Sequence, residues 1–292
     1  IDSLRNTIDS IGSTATSRLD KISADIQSFK VDDEAIAQQQ ELETMKKNLL
    51  EFQRVAKEHN NEMSRQKSDH FTEQEMGAVI FGDGKIGYSY GDDGSVSLDT
   101  FRSIMADNIQ SEPVVNLHTH PWQTRNKKGK RYGGTDDALS PADFDASAFS
   151  NALGFSMDAM LNGNMMSVFD LSDVPTKKIK ELGEMVTNVA KEFSKVPEYN
   201  KTIRLNKNDQ VTRLSGTTYD SLEKSNNVLK SVYIEALKRV GLSDHFKTYN
   251  LSDDNELTEL AKIFISKSSN HQKDGNYDPL SGLTKMIATR VE

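Results

Sequence analysis

The segment from Val114 to His120, with the sequence VVNLHTH, decides how this chain is expected to fold and what it carries. An apolar run that ends in two histidines one residue apart predicts a β-strand whose alternate side chains share a face. His118 and His120 would therefore present two imidazoles to one metal ion. A carboxylate folded back beside them would complete three ligands and leave a fourth position for water, which is typical of a catalytic zinc site.

The carboxylate is expected from residues 140 to 143, which read Ser-Pro-Ala-Asp. Ser at the N-cap, Pro at the first helical position and an acid at the third form a helix start that fixes Asp143 on the first turn. From there its side chain can face the strand end. The same four residues are also an ordinary capping box, and His-x-His alone is a weak signal for a metal.

The surrounding chain predicts a compact α/β (α+β) unit, with a mixed sheet flanked by helices. Short strands and tight turns fill residues 75–98, and a helix follows from Ser140 to about Leu153. A hairpin with an Asn162-Gly163 turn is expected over 157–171. The predicted domains are a helical, coiled-coil arm at 1–68, this core at 69–172, and a helical C-terminal region at 173–292.

The arm is predicted from apolar residues that recur at spacings of three and four, as in a coiled-coil seam with one four-residue insertion. It would form one long helix or a helical hairpin and act as a stalk or a self-association element. In the alternative interpretation, the second apolar run packs on the following domain. The first run is Ile1, Leu4, Ile8, Ile11, Ala15, Leu19, Ile22, Ile26 and Phe29, and the second is Leu42, Met45, Leu49, Phe52 and Ala56.

The C-terminal region predicts three amphipathic helices and carries no indicated chemistry, because His245 and His271 are isolated. Their apolar stripes begin at Ile179, Leu222 and Leu257. Gly241 stands in the stop position of the second helix. The third helix opens on Asp253 with Glu256 three residues later, a capping-box pattern.

The composition excludes several classes of function. The 292 residues contain no cysteine, which removes disulfides, thiol catalysis and cysteine-based zinc sites. A net charge of -8 argues against general nucleic-acid binding. The sequence contains no run of about 18 apolar residues, so it predicts no membrane span. Because the chain opens at Ile1 rather than Met, we expect it to be a piece of a longer polypeptide.

A third element makes the pattern more specific, because Glu75-Met-Gly-Ala heads an upstream strand. In this order, Glu75, His118-x-His120-Pro and Ser140-x-x-Asp143 resemble the JAMM (JAB/MPN-type) zinc metallopeptidases, many of which are isopeptidases that remove ubiquitin-like modifiers. The resemblance covers residues of about 70 to 172. The Gly-Ala pair after the glutamate is most similar to a divergent bacterial branch found in secreted toxin modules.

The resemblance implies a JAB/MPN-like core and a role for each motif residue. It implies that His118, His120 and Asp143 hold Zn²⁺, with water as the fourth ligand. It implies that Glu75 takes a proton from that water and that Ser140 hydrogen-bonds the developing oxyanion. These roles agree with the chemistry of zinc, which lowers the pKa of bound water to about 7 and polarises a carbonyl.

One departure from the family concerns the 22 residues between His120 and Asp143, since fewer usually separate these ligands. The extra stretch, 123–139, would lie at the rim of the site and either select the substrate or cover the centre. The reserve ligands are Asp136, Asp137 and Asp145, and Glu73 is the reserve base. The candidate substrate-binding residues are Trp122, Arg125, Lys127, Lys128, Lys130 and Arg131.

The sequence therefore predicts a zinc-dependent hydrolase that cleaves peptide or isopeptide bonds in a protein or peptide substrate, with ubiquitin-like chains as candidates. It would be a module of a secreted effector, a toxin or a viral particle that is delivered into a target cell. One alternative is another type of metal-dependent hydrolase. A second is a non-catalytic MPN-like interaction module, against which the presence of all five motif residues argues.

Overall fold

The computed structural model divides the chain into two compact units, Ile1–Thr44 and Met45–Glu292. None of its helices is both long enough and apolar enough to cross a membrane, within the part of the chain that the structure describes. The residues described are 2–65, 74–93, 96–108, 111–120, 123–125, 131–133, 143, 146–147, 150–151, 155–199, 203–205, 211–213 and 219–273.

The second unit is built on a six-stranded mixed sheet of order β10-β7-β6-β3-β1-β2. Strand β3 lies inside the sheet, parallel to β6 and antiparallel to β1. Two short pairs, β4 with β5 and β8 with β9, lie outside it. The strands are β1 (Gln74–Phe81), β2 (Ile86–Asp93), β3 (Pro113–Thr119), β4 (Gln123–Arg125), β5 (Arg131–Gly133), β6 (Met157–Asn162), β7 (Met165–Asp170), β8 (Ile203–Leu205), β9 (Val211–Arg213) and β10 (Phe246–Asn250).

Helices cover both faces of this sheet, so the predicted α+β class with a mixed sheet flanked by helices is confirmed. A further helical segment contains the described residues 143, 146, 147, 150 and 151. The long helices are α1 (Asp2–Arg65), α2 (Leu98–Asp107), α3 (Thr176–Phe193), α4 (Tyr219–Val240) and α5 (Asp254–Lys273), and a short 3-10 turn spans Ser243–His245.

The face of the sheet that carries His118 is covered by α2, α3 and α4. Val79 and Phe81 of β1 pack on Ile104 of α2, and Met160 of β6 joins the apolar cluster of α3 and α4. His118 pairs with Gly77 on β1 and with Met160 on β6, so these residues share that face. The candidate site therefore lies among apolar layers that fix the strands beneath it.

Gly77 is required by this packing. A Cβ at position 77 would overlap Val96 Cγ1 and would lie 3.3 Å from the ring of Phe101. Real Cβ atoms do not approach a side-chain carbon so closely, so any larger residue would push the α2 side of the domain away from the strand next to His118.

The second apolar run of α1 packs on the sheet of its own unit, as the alternative interpretation predicted. Met45, Leu49, Phe52 and Ala56 are at most 2% exposed. The Phe52 ring lies 6.0 Å from that of Tyr88 on β2, on the face opposite His118. These residues therefore belong to the core, not to a free stalk.

The first apolar run of α1 is exposed within the unit Ile1–Thr44. Leu19 is 67% exposed, Ile22 54% and Ile26 51%. An isolated helix gains little stability without an apolar face to bury, and a seam with this spacing is typical of a helix that pairs with another helix. The predicted self-association through the N-terminal helix can therefore be tested by changing these exposed side chains.

We expect the protein to sediment as an oligomer and the double substitution Ile22→Asp, Ile26→Asp to convert it to a monomer, because two charges would then be buried in the seam. Analytical ultracentrifugation checks this. The control is Ile234→Asp, which removes an equally exposed isoleucine, 52% exposed, from α4. A monomeric wild type at the highest accessible concentration would rule out self-association.

Local differences from the predicted elements have clear physical causes. Helix α2 was not predicted. It begins after Ser97, whose hydroxyl accepts a hydrogen bond from the backbone N–H of Thr100. The residues Gly91-Asp-Asp-Gly94 predict one of the tight turns of 75–98, but this prediction is partly wrong, since β2 continues through Asp93. The hairpin after β6 turns through Gly163 and Asn164, one residue later than predicted, because Gly163 takes the positive φ of 62° at the first loop position.

Candidate metal centre

Strand β3 delivers two imidazoles to one point. His118 is the sixth residue of the strand, and His120 follows its end. The backbone N–H of His120 donates to the carbonyl of Leu161 at 2.9 Å, so pairing with β6 continues past the strand end and fixes the second ring. Because alternate side chains share a face, the two Nε2 atoms meet at 3.2 Å.

The Asp143 carboxylate faces both rings from the helical segment. Its Oδ1 lies 3.3 Å from His118 Nε2 and its Oδ2 lies 3.5 Å from His120 Nε2. The Ser147 hydroxyl donates to the Asp143 carbonyl at 2.9 Å, a bond one helical turn along that ties the acid to its helix. The three side chains are only 9 to 16% exposed, so the group is largely closed to bulk water.

These separations fit a tetrahedral metal ion. Ligand atoms bound to zinc at about 2.0–2.1 Å lie roughly 3.3–3.4 Å from one another in a regular tetrahedron. The distances of 3.2, 3.3 and 3.5 Å among His118, His120 and Asp143 are close to this value. One ligand atom from each residue lies within 4.8 Å of the others, and the donor set of two nitrogens and one oxygen suits zinc. The residues therefore fit a divalent metal and leave a coordination position open.

Without a metal, the centre is an ion pair. Burial favours neutral His118, but the charges of Asp143, Glu75 and Asp158 outweigh burial and raise its pKa to about 9. Burial likewise opposes ionisation of Asp143, yet the two histidines hold its pKa well below the usual range. A metal ion would have to displace the proton from His118, since only the neutral imidazole binds metal.

Glu75 lies at the head of β1, where the strand is irregular. Its pairing with β2 shifts between Gln74 and Met76, where the single residue Glu75 lies opposite Gly91 and Asp92, so the bulge is on β2. Glu75 precedes Gly77 by two residues and therefore shares the face of His118. The backbone N–H of Met76 donates to the Thr119 hydroxyl at 2.9 Å, which ties the start of β1 to the residue between the two histidines. The half-buried Glu75 carboxylate is near enough for its charge to raise the pKa of His118.

The structure thus brings together four of the predicted site residues, Glu75, His118, His120 and Asp143. Arg125 and Arg131 lie opposite each other in the short β4–β5 pair that begins three residues after His120. The remaining predictions lie outside the described residues: Ser140, Trp122, Lys127, Lys128 and Lys130, and the reserve residues Glu73, Asp136, Asp137 and Asp145.

One buried acid beside the centre, Asp158 on β6, was not predicted from the sequence. It is 3% exposed, pairs with Asn116 on β3, and shares the face of His118. Burial raises its pKa to about 6, although Ser147, His118 and Asn116 act in the opposite direction. The available signal was a carboxylate between Met157 and the apolar residues 159–161 of one strand.

Asp158 predicts a pH-dependent instability of the metal-free protein. Its pKa in the folded state, about 6, lies above the ordinary value of 3.8, so the contribution of Asp158 to stability is greatest below pH 4 and is lost as the pH rises through 6. The loss is about 3 kcal/mol, at about 1.4 kcal/mol per pKa unit. We therefore expect Asp158→Asn to be more stable than the wild type at pH 7 to 8 in the presence of a chelator.

Denaturant unfolding between pH 4 and 8 measures this difference, which should vanish toward pH 4. A wild type whose stability relative to Asp158→Asn does not change with pH would show that the buried carboxylate is not destabilising.

Comparisons of the chain with protein-family models, with curated proteins and with solved structures found no match. The metal centre therefore rests on the geometry of His118, His120 and Asp143.

Proposed function

We propose that this protein is a zinc-dependent hydrolase of the JAMM type that cleaves a peptide or isopeptide amide bond. The observation that carries the proposal is the convergence of one ligand atom each from His118, His120 and Asp143 within 4.8 Å of one another, beside the carboxylate of Glu75. Three protein ligands with an open position are typical of catalytic zinc sites, whereas structural sites use four.

Each residue of this chain then has a definable task. Zinc held by His118, His120 and Asp143 would supply Lewis-acid polarisation of the scissile carbonyl and lower the pKa of an attacking water. The two histidine Nε2 atoms and the Asp143 carboxylate bind and orient the ion. The low exposure of the three side chains excludes bulk water, which strengthens the electrostatic interactions among them.

Glu75 is the proposed general base. Its carboxylate takes a proton from the attacking water as the new carbon–oxygen bond forms, and it returns that proton to the leaving nitrogen as the carbon–nitrogen bond breaks. The place of Glu75 on β1 supports this role, because it lies two residues before Gly77 on the face of His118 and is not one of the three converging ligands. By the JAMM resemblance, Ser140 would donate a hydrogen bond to the oxyanion.

The proposed substrate is a folded protein or peptide, with ubiquitin-like chains as the first candidates. The basic stretch around the β4–β5 pair supports a substrate with an acidic surface. The Gly77-Ala78 pair after Glu75 supports the toxin-associated branch of the family and, with it, a protein delivered as an effector.

We expect the triple substitution Lys127→Glu, Lys128→Glu, Lys130→Glu to raise KM and to reduce its salt dependence, with a smaller effect on kcat. The reason is that the basic stretch 125–131 would draw the substrate by long-range electrostatic attraction, which salt screens. Steady-state kinetics at several salt concentrations check this, with Lys177→Glu on the exposed surface of α3 as the control. Kinetics unchanged at every salt concentration would make the loop an ordinary solvated charge run.

The function itself is tested by metal content and cleavage together. We expect about one zinc per chain after reconstitution, by elemental analysis, and cleavage of linked ubiquitin-like chains or of a peptide library that a chelator abolishes and zinc restores. Absence of any divalent metal after reconstitution would overturn the metal centre. Bound zinc without cleavage of any amide substrate would overturn the hydrolase.

A further inference from the structure

A second polar group lies directly beneath the metal centre, buried between β3, β6 and the helical segment. Asn116 and Asp158 are paired across the parallel strands, and Ser147 and Ser150 approach them from the helix. The Asn116 amide donates to the Ser150 hydroxyl at 2.7 Å. All four residues are at most 7% exposed.

The group is linked to the metal ligands on both sides. Asn116 precedes His118 by two residues on the same face of β3, and Ser147 donates to the backbone carbonyl of Asp143. Asp158 interacts with both Ser147 and Asn116. Movement of the Asp158 carboxylate would therefore shift both β3, which carries His118, and the helical segment, which carries Asp143.

The charge of Asp158 lacks an ordinary counterion. Among the described residues, no lysine or arginine forms an ion pair with it, and its Oδ1 has no hydrogen-bond partner. The Asn116 Oδ1 is likewise buried without a partner. The positive group that acts on Asp158 is His118, in the metal centre itself. A buried carboxylate is retained at such a cost only where a positive charge compensates it.

We propose that Asp158 is a positioning residue of the metal centre, which holds the Asp143 helix against β3 and would provide a compensating negative charge near a cation held by the three ligands. The inference rests on the proposed metal centre, and it extends the centre beyond its three ligands. A dication bound by one carboxylate and two neutral histidines keeps a net positive charge, and Asp158 compensates that charge from a site where it cannot compete for a coordination position.

This assignment predicts opposite effects of one substitution on two properties. Asp158→Asn keeps the size and polarity of the side chain but removes its charge. The metal-free fold should become more stable above pH 6, while zinc binding becomes weaker by a factor of about 10 to 100, the usual cost of losing an outer partner of a metal ligand. A residue with a merely structural role would not change the two properties in opposite directions.

The test measures the zinc dissociation constant of the full chain by competition with a chromophoric chelator, for the wild type, Asp158→Asn and the control Asp107→Asn. Asp107 is an exposed acid on α2. Absorption spectra of the cobalt-substituted proteins report whether the coordination geometry changes. Denaturant unfolding of each metal-free protein shows whether the variants fold.

Weaker zinc binding by folded Asp158→Asn, with Asp107→Asn equal to the wild type, supports the assignment. Equal zinc affinity and equal cobalt spectra in Asp158→Asn and the wild type overturn it while the metal centre stands. A wild type that binds no zinc overturns both. A wild type that binds zinc but hydrolyses nothing removes only the proposed reaction, because the affinity measurement does not depend on turnover. If Asp158→Asn fails to fold, Ser147→Ala replaces it, since it weakens the contact to the Asp143 helix, and unchanged zinc affinity in that variant overturns the assignment.

Discussion

The Glu75→Gln variant is expected to bind zinc as tightly as the wild type and to hydrolyse its substrate about 10²- to 10⁴-fold more slowly. Glutamine has the shape of glutamate, but its amide cannot accept the proton of the attacking water. Because Glu75 is not among the three converging ligands, the metal centre should remain intact. Zinc content and single-turnover rates on the same preparations measure the two effects.

The control for this experiment is Glu184→Gln, which makes the same chemical change at an exposed position of α3. Wild-type turnover by Glu75→Gln would exclude Glu75 as the base, and the same test would then pass to Glu73. Full activity in both variants would remove the catalytic assignment and favour a non-catalytic interaction module. Loss of zinc in Glu75→Gln would instead indicate that this carboxylate belongs to the ligand set.

The His118→Ala and His120→Ala variants are each expected to bind zinc more than about 100-fold more weakly than the wild type. This loss exceeds the usual effect of removing a residue that only hydrogen-bonds to a metal ligand. Each histidine supplies one of three ligand atoms, and the two that remain cannot define a tetrahedral site. Cleavage should fall with the metal content. Elemental analysis after gel filtration measures the loss, and unfolding of the metal-free variants shows that the fold persists.

The matched control is His245→Ala, an imidazole outside the centre whose Nδ1 lies 3.0 Å from the Asp170 carbonyl. It should retain about one zinc per chain. Retention of zinc by both His118→Ala and His120→Ala would contradict the metal centre described here, whereas loss in only one of them would show that a different residue completes the ligand set.

The two histidines could be predicted from sequence because a strand has a period of two residues, so His-x-His aligns two rings whatever the rest of the fold does. The buried run of α1 from Met45 to Ala56 was predictable for a related reason, since its spacing of three and four marks one helical face. Both predictions depend on a local periodicity, which involves only residues that are close together in the chain.

Asp158 could not be predicted because its environment is set by a non-local pairing. An acid beside Met157 in an isolated hairpin strand is expected on the solvent face. The parallel register of β6 with β3 places it opposite Asn116 and beneath the helical segment, so both faces of the strand are buried. Strand β10 was missed for a similar reason, since it pairs with β7 across 75 or more residues of chain.

The close contact at Gly77 also has a consequence for finding relatives of this chain. Position 77 pairs with His118, and a Cβ there would overlap the Val96 side chain, so something must shift to admit a larger residue. A relative that keeps the centre, α2 and a valine at position 96 is therefore expected to keep this glycine. Relatives could be sought with a pattern of Glu-x-Gly, His-x-His and an acid within a later strand, as at Asp158. In this pattern the glycine is fixed by packing and the other residues by their chemistry, so the pattern can persist when overall sequence similarity is lost.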